Sequence, residues 1–332
     1  MIFDLLESKN LILLAAAVLA FGLTLFGILG FTKYLPKDHG REFAVNGALS
    51  KGKARGAGII LISALIVACV VCIPLNIEMI VLLAAIFIEM MSGFLDDAAK
   101  VPWGELKKGL IDLVVSIAVS FAAYRLTDGI VMLPVLHMNL VISMPIYMIL
   151  GTVLVWASIN VTNCSDGVDG LCTSMSLITL ISVLFLMHHA SSVTGQNGGS
   201  MLVWMTIFML IAYLWFNCSP SSILMGDAGS RALGLIIAVA FMLSDMPFLF
   251  IPCALMLLID GGLGLVKLTI LRLTKSKTFM KNIRTPIHDH ARKNKGWSDT
   301  QVVIRFTLIQ MLISAVFVLL ALGYAVPEPI LD

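Results

Sequence analysis

The chain has 332 residues, of which 59% are hydrophobic and only 13% are charged. This apolar fraction is too high for a soluble domain of this length, so part of the surface must face lipid. The formal net charge of +2 is too small to indicate a nucleic-acid-binding protein. The six cysteines lack the paired spacing of a zinc site or a disulfide scaffold, and we interpret them as small core residues.

Ten apolar segments are candidates for membrane spans, because a helix needs about 20 residues to cross the hydrocarbon core. The first is too long for the apolar core of a cleavable signal peptide and is expected to remain as a span. The sequence therefore predicts an all-α, polytopic integral membrane protein that forms a single membrane domain over residues 1–332. The predicted spans are 11–31, 57–75, 77–94, 109–124, 140–160, 170–190, 201–216, 229–243, 247–270 and 303–326.

Basic residues predict the orientation of these spans. The predicted loops 32–56, 95–108 and 271–302 contain 17 of the 22 lysines and arginines, whereas the loops on the other side contain only Lys9 and Arg125. Because basic residues concentrate in cytoplasmic loops, these three loops are expected in the cytoplasm and both termini outside. The odd-numbered connections are then the candidate catalytic loops, at about 32–56, 95–108, 161–169, 217–228 and 271–302.

Four polar sequences are hard to explain by packing against lipid. They are Phe94–Lys100, Asn163–Gly170, Met225–Ser230 and Thr285–His290. All four fall on the predicted cytoplasmic side, although the orientation was derived without their acids or histidines. This agreement indicates that the four sequences form one site.

Asp96 and Asp97 lie just beyond the third predicted span. Adjacent carboxylates at a membrane interface offer hard oxygen ligands for Mg²⁺ or a general base, and Lys100, one turn beyond Asp96, would meet phosphate. The alternative is an ion pair at a helix end, which stabilises by only a few tenths of a kcal/mol.

The sequence Asn163–Gly170 places two acids, an asparagine and two glycines between strongly apolar helices. Glycines permit a close approach of the backbone to a ligand, and Asn with Asp can recognise the polar edges of a ribose or nucleobase. The alternative is a simple polar turn in which Asp169 caps the sixth span.

Gly226–Ser230 begins the eighth predicted span, where free amides and the helix dipole favour phosphate. Asp227 would complete the charge balance there as a metal ligand, and the alternative is an N-cap aspartate.

His288 and His290 lie in the longest polar loop among basic residues. A zinc site is poorly supported, because a His-x-His sequence without a third soft ligand is a weak pattern. A patch for anionic lipid headgroups is a second alternative. Histidines and cations that face carboxylates suit a diphosphate-containing substrate better.

In chain order, these four segments resemble the polyprenyl-phosphate sugar-1-phosphate transferase superfamily, most closely its phospho-N-acetylmuramoyl-pentapeptide transferase branch. The branch is indicated by Pro286–His290, followed by Lys295–Trp297 and Val303–Phe306. The resemblance implies Mg²⁺-dependent transfer of phospho-N-acetylmuramoyl-pentapeptide from UDP-MurNAc-pentapeptide to undecaprenyl phosphate, with release of UMP and formation of lipid I. It also implies an active site on the cytoplasmic face of a bacterial plasma membrane.

The resemblance assigns a role to each candidate residue. Asp227 is expected to be the principal Mg²⁺ ligand with Asp97 in support, and Asp96 and Asp97 would act as base and supporting acid. His290 completes the expected catalytic set. Leu224 stands where the family often has an aromatic residue that stacks on uracil. The expected substrate-binding residues are Lys51, Lys100, Asn163, Asp166, Gly167, Asp169, Leu224 and His288.

Two other functions fit parts of the pattern. Transfer of N-acetylhexosamine-1-phosphate for teichoic acid or O-antigen synthesis would share the acidic motifs and differ in the last loop. A secondary transporter would place acids at membrane depth, where Glu89, Asp112 and Asp260 lie, and each of them needs a partner or a wet cavity. The chain has no internal repeat that would support transport. The sequence allows a homodimer without selecting an oligomeric state.

Overall fold

The computed structural model describes residues 9–38, 40, 50–99, 101, 103–194, 198–275 and 278–323. This part of the chain is helical except for short turns and one β-hairpin. The helices are α1 (Lys9–Phe31), α2 (Gly58–Cys72), α3 (Ile77–Ala98), α4 (Glu105–Thr127), α5 (Met144–Ser165), α6 (Leu171–Thr194), α7 (Gly199–Asn217), α8 (Gly226–Leu243), α9 (Phe250–Cys253), α10 (Leu255–Leu257), α11 (Leu263–Thr274), α12 (Ile287–Lys295) and α13 (Asp299–Leu322).

The prediction of an all-α polytopic membrane protein is confirmed. Within the described residues, eight helices are long and apolar enough to cross a membrane, or nine if a bent pair counts as one span. That pair, Pro247–Cys253 and Leu255–Thr274, bends by 68° and matches the ninth predicted span. The second predicted span corresponds to α2, which has only 15 residues. Pro74 follows Ile73 and favours an extended backbone there, so α2 ends before the predicted residue 75.

Helix α8 lies at the centre of the bundle, in contact with α2, α3, α5 and other helices. Asp227 is its only residue that is not buried. An apolar helix that is buried all round is shielded from lipid by its neighbours. The exposed large apolar side chains instead lie on outer helices, such as Phe26, Val114 and Leu312.

Glycines allow α2 and α3 to touch the first turns of α8 backbone to backbone. A Cβ atom at Gly58 would lie 2.0 Å from the backbone nitrogen of Gly229. A Cβ atom at Gly93 would lie 2.3 Å from the carbonyl oxygen of Asp227. Since no side chain fits at either contact, the ends of these helices have a fixed spacing.

A two-stranded antiparallel hairpin connects α4 to α5. Its strands are β1 (Ile130–Leu133) and β2 (Met138–Val141). The sequence analysis did not predict it and assigned residues 140–143 to the fifth span. The backbone nitrogen of Met132 donates to the carbonyl oxygen of Asp245, just beyond the last residue of α8. The hairpin therefore lies at the end of the bundle opposite to Asp227.

Candidate active site

Three carboxylates meet at one end of the bundle. Asp96 and Asp97 lie in the last turn of α3, and Asp227 lies in the first turn of α8. The last turn of one helix meets the first turn of the other because of the glycine contact at Gly93. The structure thus brings together the two acidic motifs that the sequence predicted to share a site.

Two cations bridge the three acids. Lys108, from the first turn of α4, contacts the carboxylate of Asp96 through Nζ and lies 3.2 Å from Oδ2 of Asp227. The Nε atom of Arg55 donates to Oδ1 of Asp97 at 2.8 Å, and its Nη2 lies 3.5 Å from Oδ1 of Asp227. Each cation therefore connects a carboxylate on α3 with the carboxylate on α8.

Arg55 is itself held in place by a third acid. Its Nη1 donates to Oδ1 of Asp38 at 3.1 Å. Burial alone would lower the pKa of Arg55, but the charges of Asp97 and Asp227 outweigh it and raise that pKa. Burial would raise the pKa of Asp38, and hydrogen bonds from Ser50 and Arg55 lower it instead. Arg55 and Asp38 are therefore an ion pair at neutral pH.

The acidic motifs also receive backbone hydrogen bonds. The backbone nitrogen of Ala228 donates to Oδ2 of Asp97 at 3.3 Å, and that of Trp103 donates to Oδ1 of Asp96 at 2.6 Å. Asp227 does not have the role of an N-cap, because Met225 occupies the N-cap position of α8 and Asp227 lies inside the first turn. The first amides of α8 therefore bind a carboxylate from α3, as expected for a helix N-terminus.

The donor atoms of the cluster suit a hard divalent cation. Asp96, Asp97 and Asp227 present carboxylate oxygens, and the two bridging cations do not neutralise all three negative charges. Among the described residues, no group of three His, Cys, Asp or Glu side chains is arranged to hold a metal ion. That result is compatible with Mg²⁺, which typically uses one or two carboxylates together with substrate phosphates and water.

The predicted nucleoside loop lies beside this cluster. Nδ2 of Asn163 donates to Oγ of Ser230 on α8 at 2.9 Å, which ties the end of α5 to the start of α8. Oδ2 of Asp169 accepts from Nζ of Lys53 at 3.2 Å and from the backbone nitrogen of Ser221 at 2.9 Å. Asp169 is thus bonded to two other loops rather than to the amides of α6.

The other predicted donor-binding residues of this region, Asp166, Gly167 and Leu224, differ in their exposure to solvent. Asp166 is half-buried and Gly167 is exposed. Leu224 is half-buried, and its backbone nitrogen donates to the carbonyl oxygen of Ala54 at 2.8 Å. The backbone nitrogen of Ala57 donates a hydrogen bond to the carbonyl oxygen of Leu224 at 3.1 Å. These bonds join the loop that carries Arg55 to the segment that leads into α8.

The two histidines of the last loop differ in their surroundings. The loop contains a helix, α12, which begins at Ile287 and was not predicted. His288 is 3% exposed, and its Nδ1 lies 2.8 Å from Oδ2 of Asp260. His290 is half-buried, and its Nδ1 accepts a bond from the backbone nitrogen of Arg284 at 3.4 Å.

Of the two predicted phosphate-binding lysines, the structure describes only one. Lys51 is exposed in the turn that follows Ser50. Lys100 lies outside the described residues. Among the described residues, the basic side chains that contact the acids of this site are Lys53, Arg55 and Lys108.

Arg55 and Lys108 belong to the 17 basic residues of the predicted cytoplasmic loops, but neither was predicted to be a site residue. Lys108 precedes Asp112 by one helical turn, a spacing that places both on one face of α4. In the sequence, Arg55 lies between Gly52 and Gly56, and glycines in a polar loop permit a close approach of the backbone to a ligand. These two patterns are the sequence signals for the two residues.

A second polar cluster lies deeper in the bundle. Arg231 contacts the carboxylate of Asp112, and its Nη2 donates to Oε2 of Glu89 at 3.1 Å. Nδ2 of Asn160 donates to the other oxygen of Asp112 at 3.1 Å. Glu89, Asp112 and Arg231 are all buried. The expectation that acids at membrane depth need partners is confirmed for Glu89 and Asp112, which both pair with Arg231. It is also confirmed for Asp260, whose partner is His288.

Comparison with known proteins agrees with this geometry. Residues 79–245 match the model of glycosyl transferase family 4, a range that includes Asp96, Asp97, Lys108 and Asp227. A phospho-N-acetylmuramoyl-pentapeptide-transferase of Treponema pallidum (strain Nichols) is 34% identical over 328 residues, which cover 94% of this chain and 90% of that protein.

Relatives from other bacteria carry the same name. The protein of Helicobacter pylori (strain Shi470) is 31% identical over 287 residues, or 79% of each chain. That of Wolinella succinogenes is 30% identical over 300 residues, or 82% of each chain. The chain therefore belongs to glycosyl transferase family 4 and to its phospho-N-acetylmuramoyl-pentapeptide transferases.

Proposed function

We propose that this chain transfers phospho-N-acetylmuramoyl-pentapeptide from UDP-MurNAc-pentapeptide to undecaprenyl phosphate, which releases UMP and forms lipid I. The observation that carries the proposal is the convergence of Asp96, Asp97 and Asp227 around Arg55 and Lys108 at one end of a membrane bundle. The names of the relatives support the identity of the transferred group.

Both substrates carry phosphates, so the reaction brings several negative charges together. We assign Asp227 and Asp97 as the ligands of Mg²⁺, because their carboxylates share Arg55 and lie on adjoining helix ends. A bound Mg²⁺ would neutralise charge on the donor diphosphate. Arg55 and Lys108 contribute two further positive charges beside the same oxygens, and these charges attract phosphate.

The bond changes are those of a phosphoryl transfer. A phosphate oxygen of the acceptor attacks the phosphorus that is attached to the sugar, and a new phosphoanhydride forms. The bond from this phosphorus to UMP breaks, and its electron pair leaves on a UMP oxygen. Asp96 accepts the proton if the acceptor phosphate arrives protonated, with Asp97 as the supporting acid. Positioning and charge neutralisation supply most of the catalysis in such reactions.

The other predicted residues are assigned to donor binding. The nucleoside would contact the turn that contains Asn163, Asp166, Gly167 and Asp169, together with Leu224. This assignment is supported by the bonds that place the turn against α8 and Lys53. His288 and His290 are assigned to the donor phosphate or sugar, with His290 in the catalytic set, and Lys51 and Lys100 to further phosphate contacts.

The proposed location is the cytoplasmic face of a bacterial plasma membrane, with both termini outside. A polyprenyl tail must stay in the bilayer while its phosphate meets a soluble nucleotide, so the chemistry belongs at an interface. The cluster lies at helix ends, and the loops around it contain most of the basic residues. We include a homodimer as a proposed assembly, to be tested by the mass of the purified protein.

The decisive experiment uses purified protein, UDP-MurNAc-pentapeptide, undecaprenyl phosphate and Mg²⁺. We expect release of UMP and a lipid-linked product, both dependent on the acceptor and abolished by a chelator. Turnover of UDP-N-acetylglucosamine in place of the muramoyl donor would replace the proposal with hexosamine-1-phosphate transfer. Solute flux across proteoliposomes without acceptor, and no UMP from either donor, would indicate a transporter.

A further inference from the structure

Asp260 is a fully buried carboxylate in the ninth span, on the Leu255–Thr274 side of the break at Ala254. It lies in the π-helical turn Leu258–Gly262, between α10 and α11. A Cβ atom at Gly261 would lie 2.1 Å from the carbonyl oxygen of Val161, so the turn packs directly against the backbone of α5. Short π-helical turns inside helices are often found at functional sites. A carboxylate at such a depth requires a partner.

The partner is His288, whose backbone nitrogen and ring both contact the carboxylate of Asp260. Oδ1 of Asp260 accepts from the backbone nitrogen of His288 at 2.7 Å. The ring atom Nδ1 lies 2.8 Å from Oδ2 and 3.1 Å from Oδ1. An ionised carboxylate only accepts hydrogen bonds, so Nδ1 carries a proton. One carboxylate therefore fixes the start of α12, the orientation of the ring and its tautomer.

This orientation directs the other ring nitrogen at the predicted donor loop. A Cβ atom at Gly167 would lie 2.3 Å from Nε2 of His288 and 2.7 Å from its Cε1. The absence of a side chain at Gly167 thus leaves the ring edge next to the turn Asn163–Gly170. The carboxylate of Asp289 is at 4.0 Å from Nε2.

The charges around His288 favour its protonated form. Burial by itself would lower the pKa of His288, but the charge and hydrogen bonds of Asp260 outweigh burial and raise it. Asp289 also raises this pKa, and Arg292 lowers it. A protonated ring bonded to Asp260 through Nδ1 presents Nε2–H as a charged hydrogen-bond donor, which suits a phosphate oxygen.

We propose that Asp260 is the positioning residue of the site: it holds His288 so that Nε2–H faces the donor diphosphate beside the turn Asn163–Gly170. This inference rests on the proposed function, which supplies the diphosphate. Asp260 itself does not touch the substrate. Its effect on turnover is therefore expected to pass entirely through His288, whereas a purely structural ion pair would act through stability.

The test compares wild type, Asp260→Asn, His288→Gln and the double variant in the lipid-product assay. We expect Asp260→Asn to lower kcat about ten- to a hundredfold, the usual effect of removing a carboxylate that orients a functional histidine. The alkaline limb of its kcat–pH profile should move to lower pH, because the charge that raises the pKa of His288 is gone. In the His288→Gln background, Asp260→Asn should change kcat by less than about twofold, since the two act as one unit.

The control is Asp289→Asn, which removes a nearby charge without breaking the Nδ1 bond. Below the alkaline limb, its kcat with saturating substrate should stay within about twofold of wild type. Its alkaline limb should move less than that of Asp260→Asn, because Asp260 raises the pKa of His288 more than Asp289 does. Two results would overturn the positioning role. In the first, the losses of kcat caused by Asp260→Asn and His288→Gln multiply in the double variant. In the second, the alkaline limb of the kcat–pH profile does not move in Asp260→Asn.

A readout that is independent of activity separates this inference from the proposed function. The ring-nitrogen NMR resonances of isotope-labelled His288 should show a protonated Nδ1 in the full-length wild-type chain and lose it in Asp260→Asn. Unchanged resonances in Asp260→Asn would contradict the inference. If the wild type instead shows the protonated Nδ1 but does not consume the donor, the proposed function fails while the contact with Asp260 stands.

Discussion

Arg231 follows Asp227 by one helical turn on α8 and lies on the same face. Asp112 follows Lys108 by the same spacing on α4. Arg231 and Asp112 therefore lie one turn deeper than Asp227 and Lys108, and together with Glu89 they form a buried ion network. In a medium of low dielectric, the charges of this network and those of Asp227 and Lys108 influence each other strongly.

Removal of the charge of Asp227 should abolish turnover without unfolding the chain. Asp227→Asn keeps the size of the side chain but removes the charge assigned to Mg²⁺, so we expect kcat to fall at least about a hundredfold. The measurement is UMP release over a Mg²⁺ titration, together with the melting temperature in detergent. Asp128→Asn, an exposed change at the other end of α4, is the matched control. Near-normal turnover of Asp227→Asn with an unchanged Mg²⁺ dependence would contradict the assignment.

The acidic pair on α3 should affect catalysis more than donor binding. We expect Asp96→Asn and Asp97→Asn each to lower kcat at least about a hundredfold, the usual scale for general acid–base groups. The affinity of both variants for the UDP-linked donor, measured by calorimetry, should stay close to that of the wild type. If the carboxylate of Asp96 serves only to pair with Lys108, then Lys108→Met should reproduce the Asp96→Asn phenotype, and melting temperature should fall with activity. Full activity in both asparagine variants would eliminate the catalytic role.

The buried network should be important for stability. Arg231→Met leaves Glu89 and Asp112 without their shared cation, and breaking a buried ion pair in this way costs about 3–5 kcal/mol. Arg125→Met is the control, because Arg125 is exposed and lies 3.8 Å from Glu78, so its loss should cost at most about 1 kcal/mol. The loss of stability in each of the two variants is measured by its denaturation midpoint in detergent. Equal midpoints for the two variants would show that the deep acids are stabilised in another way.

The sequence predicted the parts of this molecule that depend on local composition. Among the described residues, apolar runs located the eight long apolar helices, the shorter α2 and the bent pair. The distribution of basic residues predicted one side for the acidic motifs, and these motifs meet at one end of the bundle. The partners of those acids were not predictable in the same way, because Arg55 lies 42 residues from Asp97 and Lys108 lies 119 from Asp227. The π-helical turn that contains Asp260 also has no periodic pattern in the sequence, since it changes the hydrogen bonding of a single helical turn.

The orientation of the chain can be tested by labelling single cysteines with a membrane-impermeant maleimide. The native cysteines, including the exposed Cys218, are first replaced. Asn139→Cys, in β2, should react in intact cells, whereas Asn294→Cys, in α12, should react only after permeabilisation. Residues 32–56, 95–108, 161–169 and 217–228 should behave like Asn294. Reaction of Asn294→Cys from outside would reverse the proposed topology.

The backbone contacts of Gly58 and Gly93 with α8 also affect how the protein adapts to its membrane. Helices tilt to match bilayers of different thickness. Because α2 and α3 touch α8 without intervening side chains at the end that carries Asp97 and Asp227, we expect the helices to tilt about that end. The opposite ends, near the β-hairpin, should then move most, and the distance between the carboxylates should stay nearly constant. Turnover should therefore vary little between thin and thick bilayers of the same headgroup.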